Sequence, residues 1–297
     1  MAKLNLVKRT TSWILLAFLW STTAFGDRIA RFDEAAAMRA LYGQYEKNST
    51  TANSSVPDDH RVDLTGSELK PSDPLVVRPF WSGTYEDGGV QRAVLLTYAV
   101  PFEPHWEPIV PGDKPFSCHA CTPLIGIAVF KWSAKGWVPE VSRVAVSRGG
   151  GWGLPPSPAR LIKIGTHHMA IEIDEEYDGG GDTTISEEII PLHGSSISKV
   201  LRIETGEDNA GGCERHQPAD EPACYRYKKT LSLKLGPNSD YYDIRTVLHG
   251  TDYDDGPSQG VHRVAATELF RFVNGTYVSI ERHGSITNTE KALNSQH

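Results

Sequence analysis

Leu269-Phe-Arg-Phe-Val-Asn-Gly-Thr-Tyr-Val-Ser-Ile280 decides the fold class. Two apolar-rich runs enclose Asn274-Gly275, and Asn-Gly between such runs is the strongest short-range signal of a β-hairpin. The same punctuation recurs upstream. Tyr225, Tyr227, Leu231, Leu233 and Leu235 alternate with Arg226, Lys228, Thr230, Ser232 and Lys234, giving a strand with one apolar and one wet face. Gly236-Pro-Asn-Ser-Asp240 then turns the chain into Tyr241–Leu248. Leu161-Ile-Lys-Ile and Met169-Ala-Ile-Glu-Ile173 flank Gly165-Thr-His-His168, and Phe130–Val141 reads as two strands around Ser133-Ala-Lys-Gly136. The expected fold is mainly β: an antiparallel meander of hairpins, sandwich-like or partly propeller-like, with one N-terminal helix. The propeller alternative comes from the likeness of Phe130-x-Trp-x-x-x-Gly-Trp-Val to Phe270-x-Phe-x-x-Gly-x-Tyr-Val.

The helix is expected from Asp33-Glu-Ala-Ala-Ala-Met-Arg-Ala-Leu-Tyr-Gly43, with Asp33 as N-cap and Ala35, Met38, Leu41, Tyr42 and Tyr45 as the docking stripe. Ahead of it lie a basic start (Lys3, Lys8, Arg9), the apolar run Trp13–Trp20 and the small residues Ala24 and Gly26, the pattern of a secretory signal peptide. That run is too short to cross a bilayer. The expected organisation is a signal peptide over residues 1–26, the helix over 27–46, a flexible polar linker over 47–74, a single β-rich domain over 75–283 and a disordered tail over 284–297. The exported chain, periplasmic or extracellular, is expected to be a monomer with no membrane span.

The 297 residues carry 30 Lys+Arg against 37 Asp+Glu, a net charge of −7, and the signal segment holds three of the positive charges and no acid. An acidic mature chain argues against nucleic acid and against docking on an anionic membrane through a basic patch. With 39% hydrophobic and 23% charged residues, the composition is that of an ordinary globular chain.

Cys118, Cys121, Cys213 and Cys224 are even in number and, in an oxidising compartment, favour disulfides, with three pairings open. A bridge between Cys213 and Cys224 would staple a loop with little core of its own. Cys118-His-Ala-Cys121 also raises a redox dithiol, but Thr122-Pro123 and a β-branched run follow where the helix of such a site belongs. Haem attachment would need His at position 122. Zinc would need a second close-spaced cysteine pair, with His105 and His119 as further ligand candidates.

No nucleophile elbow, zinc-protease helix or phosphate loop occurs. Arg148-Gly-Gly-Gly-Trp-Gly153 runs into Leu154-Pro155-Pro156 and reads as a tight loop under Trp152. In Asp174–Asp182, Asp174, Asp178 and Asp182 offer hard oxygen ligands to calcium, the one cofactor alternative to none. Asp252-Tyr-Asp-Asp-Gly256 is a second acidic turn. Both read first as solvated turns. The eleven histidines lack ligand spacing and read as surface or turn residues.

Cys118-His-Ala-Cys-Thr-Pro-Leu-Ile-Gly126, Trp152-Gly-Leu-Pro155, Glu207-Asp-Asn-Ala-Gly-Gly-Cys213 and the Phe272–Val278 hairpin carry a resemblance. On these segments the chain resembles uncharacterised secreted bacterial β-rich proteins, over a little more than half its length. The resemblance implies export and a fixed loop at Cys213, and no activity. The expected function is a non-catalytic binding or envelope-associated β module with an unidentified protein or envelope ligand. The alternatives are a secreted hydrolase with an unrecognised site and a Cys-x-x-Cys thiol-redox protein.

Overall fold

The computed structural model describes residues 31–43, 45, 51–55, 70, 72–101, 122–151, 153–193, 197–213, 224–236, 240–254 and 260–285. Residues from Phe32 onward form one compact unit. The expected signal peptide and nearly all of the expected tail lie outside the described residues.

Helix α1 spans Glu34–Tyr42. Asp33 caps it as expected, its Oδ1 accepting from the Ala36 N–H at 3.0 Å, and Gly43 ends it at φ 76°, donating to the Arg39 carbonyl. Ala37 and Met38 are buried, with Leu41, Tyr42 and Tyr45 packed beside them. Ala37 therefore joins the buried face, while Ala35 stays half-exposed. Removing the cap by Asp33→Ala should lower stability by about 0.5–1 kcal/mol, read as a lower urea midpoint at unchanged slope.

The first sheet has five strands in the order β1 (Ala52–Ser55), β2 (Pro74–Asp87), β3 (Val90–Pro101), β4 (Leu124–Ser133) and β5 (Gly136–Arg148). β4 reads as seven consecutive buried residues because both its faces are covered. Leu124, Ala128 and Phe130 face the core shared with α1. Ile125, Ile127 and Val129 face the opposite way, onto Ile171, Ile173 and Ile190 of the second sheet. Strand β1 lies inside the stretch expected to be a polar linker. Ala-Asn-Ser-Ser pairs antiparallel with Pro74–Val77, and an edge strand that buries only Ala52 needs no apolar alternation.

The second sheet has eight strands in chain order: β6 (Ala159–Lys163), β7 (Met169–Gly179), β8 (Asp182–Pro191), β9 (Leu201–Asp208), β10 (Arg226–Leu235), β11 (Tyr242–Asp254), β12 (Gly260–Val273) and β13 (Thr276–Ser285). Every paired neighbour in both sheets is antiparallel. The Asn274-Gly275 turn joins β12 to β13 with both residues at positive φ, 52° and 93°. β9 meets β10 only at Gly206–Asp208, so the sheet bends there and curls into a half-barrel. β11–β13 then return over the free face of β7–β9, burying Ile244 and Tyr277 against Ala170, Ile189, Leu201 and Ile203. Backbone bonds seal the curl: Tyr277 N–H to the Val200 carbonyl at 3.0 Å, and Tyr242 N–H to the Ile164 carbonyl at 2.8 Å.

The fold is therefore mainly β, and of the two expected arrangements it is the face-to-face one. The two similar hairpins, β4–β5 and β12–β13, belong to different sheets. Among the described residues no helix is long and apolar enough to cross a membrane.

Candidate functional site

Successive side chains of a strand point to opposite faces. The hairpin β7–β8 alternates isoleucine and acid, so it carries a carboxyl cluster on each face.

Toward the first sheet, Glu188 has no exposed surface. It accepts from the Ser147 hydroxyl of β5, from Lys199 Nζ at 2.9 Å and from Arg202 Nη1 at 3.1 Å. The other arm of Arg202 holds Glu175 at 2.8 Å. Glu175 Oε1 lies against Gly149, where a Cβ would sit 1.9 Å away. Burial first, then the Glu188 charge, pushes Glu175 up to about 7 against Arg202 and Lys199. Two carboxyls meet two cations, and the cluster ties β5 to β7–β9. In the glycine-rich segment Gly149 packs on Glu175 of this cluster, and Gly150 turns the chain at φ +85° against Leu154 and Pro155. Trp152 lies outside the described residues.

On the opposite face, Arg160 Nε holds Glu172 at 2.6 Å and its Nη1 holds Asp174 at 3.2 Å. Glu187 is Asp174's partner across the strands and hydrogen-bonds Glu172. Burial, that bond and the charges of Glu172 and Asp174 push Glu187 up to about 8, with Arg160 opposing. Burial also raises Asp174, against Arg160 and Lys228. Near neutral pH Glu187 therefore keeps its proton and donates it to Glu172. Asp174 Oδ1 and Glu187 Oε2 are buried without a hydrogen-bond partner. Three carboxyls share one guanidinium, and this face is only part-buried: Asp174 is half-exposed and Arg160 exposed.

The three aspartates of the calcium alternative, Asp174, Asp178 and Asp182, are not brought together. Asp178 accepts from Thr183 Oγ1 at 2.5 Å near the turn, and Asp182 pairs with Gly179. Asp174 sits four residues before Asp178, roughly 13 Å along the strand at ~3.3 Å per residue. Among the described residues no three His, Cys, Asp or Glu side chains are grouped to hold a metal ion. The turn's glycines have a packing role. Gly181 accepts from the Gly211 N–H at 3.1 Å, and a Cβ on it would meet Gly212 Cα at 2.7 Å. Of the second acidic turn, Asp252–Asp254 end strand β11, and Asp255 and Gly256 lie outside the described residues.

The Gly211–Gly212 turn leads directly to the Cys213–Cys224 disulfide, whose Cα atoms are 5.3 Å apart. Asn209, 3% exposed, brings the two cysteines together: its carbonyl accepts from Cys213 N–H and its Oδ1 from Tyr225 N–H at 2.8 Å. Cys118, Cys121, His105 and His119 lie outside the described residues. No family model matches the sequence, no curated protein matches it, and no solved structure matches its fold.

The acids that form these clusters, Glu172, Glu175, Glu187 and Glu188, are not among the residues that the sequence singles out, which lie at the turns. Their signal is Ile171-Glu-Ile-Asp174 and Glu187-Glu-Ile-Ile190, where acids interleaved with isoleucine on a strand are drawn beside the core.

Proposed function

We propose that this chain is an exported, non-catalytic binding module that takes a cationic ligand on its Glu172–Asp174–Glu187 face. The observation that carries this reading is the pair of buried carboxyl oxygens, Asp174 Oδ1 and Glu187 Oε2, that no donor satisfies. Buried acceptors without donors are costly, and an incoming ammonium or guanidinium group supplies both donors and charge. The N-terminal signal pattern, the disulfide and the resemblance to secreted proteins support export.

A hydrolase is the second reading, favoured by one observation. Glu187, protonated near neutral pH, hydrogen-bonds Glu172, and a carboxyl that keeps its proton there is a candidate general acid. The thiol-redox alternative rests on Cys118 and Cys121, while Cys213 and Cys224 are bonded to each other.

The test is calorimetric titration with an arginine tetrapeptide, which stays cationic at every pH used. Glu187 is neutral below about 8 and charged above it, so binding should tighten by about tenfold or more from pH 6 to pH 9, with proton release. Glu187→Gln should abolish that pH dependence, and Asp174→Asn should weaken binding at both pH values. Absence of binding at pH 9, or an unchanged pH profile in Glu187→Gln, would overturn the proposal.

A further inference from the structure

Three ring-bearing side chains meet at the end of the half-barrel. His168 follows the β6–β7 turn, His193 stands just beyond β8, and Tyr241 opens β11. Backbone bonds fasten the first and third segments together: the Thr166 N–H donates to the Asp240 carbonyl at 2.9 Å, and Gly165 bridges Tyr241. A Cβ on Gly165 would lie 2.2 Å from the Asp240 carbonyl oxygen, so this close approach requires glycine. The His168 ring stacks on the Tyr241 ring at 4.0 Å and 6°, and Phe272 stacks on Tyr241 at 3.8 Å and 16°. The tyrosine ring is thus clamped between them. His193 Nε2 is hydrogen-bonded to the Tyr241 hydroxyl, and its ring centroid is 4.5 Å from that of His168.

The clamp leaves both Nδ1 atoms, of His168 and of His193, covered from water and without a hydrogen-bond partner. Two adjacent orphaned imidazole nitrogens call for an explanation. If His193 Nε2 accepted from Tyr241, its Nδ1 would carry a buried N–H with nothing to receive it. If Nε2 donates to Tyr241, Nδ1 is a bare lone pair, the form that ligates a metal. An imidazole whose far nitrogen donates to an oriented oxygen is the usual support of a metal-binding histidine. The surroundings include carboxylates that favour an added cation: Asp240 and Asp87 lie close enough to act on the charge of His168, and Asp87 on that of His193, while His167 opposes at His168 and His168 opposes at His193. Burial disfavours the charged form of both imidazoles, and His168 lowers His193 further.

We propose that His168 and His193 bind one divalent transition-metal ion of the borderline class, Zn²⁺ or Cu²⁺, through their Nδ1 atoms, with Tyr241 as the positioning residue that sets the His193 tautomer. Imidazole nitrogen suits these ions, whereas calcium prefers oxygen. Water completes the coordination, as in sites that keep open positions. The two rings must turn to admit the ion, because both nitrogens are covered.

The experiment uses the full exported chain, untagged and treated with chelator, titrated with Zn²⁺ and separately with Cu²⁺. One ion per chain is expected, with no response to Ca²⁺. His168→Ala and His193→Ala should each weaken binding at least about tenfold. His167→Ala should bind as the unaltered protein does. Tyr241→Phe should weaken binding several-fold while the Cu²⁺ spectrum still reports two nitrogens. Should an alanine variant fail to fold, nitrogen-15 histidine spectra of the unaltered protein decide the matter: Zn²⁺ must shift Nδ1 of both residues and leave Nε2 protonated. Failure to bind either ion, full affinity in both alanine variants, or metal-induced shifts confined to other histidines would overturn the proposal. None of these outcomes depends on the arginine-peptide titration, because the two sites share no residue.

Discussion

Glu188→Ala is expected to destabilise the protein by about 2–4 kcal/mol. Glu188 has no exposed surface and receives Ser147, Lys199 and Arg202. Removing it leaves the Ser147 hydroxyl without its acceptor and two cations without their shared partner. The cost stays below the full penalty for breaking a buried pair, because the Lys199 and Arg202 side chains are 35% and 48% exposed and can rehydrate. Glu188→Gln, which keeps the acceptor and most of the volume, should cost about half as much. Urea unfolding reads both. A loss below about 0.5 kcal/mol for the alanine variant would show that the cluster does not tie the sheets together.

The same substitution has a pH signature. Glu175 sits at about 7, raised by burial and by the Glu188 charge. A carboxyl raised above its unfolded value binds more protons in the native state. Its contribution to stability is therefore full below the unfolded value and is lost as pH rises through about 7. Removing the Glu188 charge lowers Glu175, so the fall in stability between pH 5 and 8 should be shallower in Glu188→Ala than in the unaltered protein. Glu187 contributes in the same direction through about 8 in both proteins.

Replacing both Cys213 and Cys224 by serine should cost about 3 kcal/mol by the chain-entropy model for a loop of this size. The two cysteines are 11 residues apart in sequence and close a segment between β9 and β10. Substitution is preferable to reductant, because Cys118 and Cys121 are then untouched. Thermal melting should shift down, with faster proteolysis between residues 213 and 224. Asn209 should preserve the strand ends, since its bonds to Cys213 and Tyr225 do not involve sulfur. A melting temperature unchanged from the parent would mean that Asn209 and the Gly181–Gly211 contact already restrict the loop.

The elements visible in the sequence are those set by neighbours in the chain. Asn274-Gly275 made a hairpin because few other residues accept two successive positive φ values. Asp33 capped a helix because its carboxylate reaches an N–H three residues ahead. The β4 run Leu124–Phe130 was legible as a strand, yet its uninterrupted hydrophobicity acquires its meaning only from the helix on one face and the second sheet on the other. β1 was missed because four small and polar residues carry no pattern; what makes them a strand is the free edge of β2.

The residues of the candidate sites are less legible for the same physical reason. Acids at Asp174–Asp182 read as one turn, but the length of the strand leaves Asp174 beside Arg160 and puts Asp178 and Asp182 at the tip. Glu175 and Glu188 look like solvated charges until Ser147 and Arg202 arrive from other strands. His168, His193 and Tyr241 are far apart in sequence, and no spacing rule joins them; the curl of the second sheet does. By itself the sequence determined the β class, the capped helix, the hairpin turns and the acidic balance, since backbone sterics and local hydrogen bonds settle these within a few residues. Only the tertiary structure decided which faces met and which charges became partners, because those depend on strand register and on the bend between β9 and β10, set by packing across the whole chain.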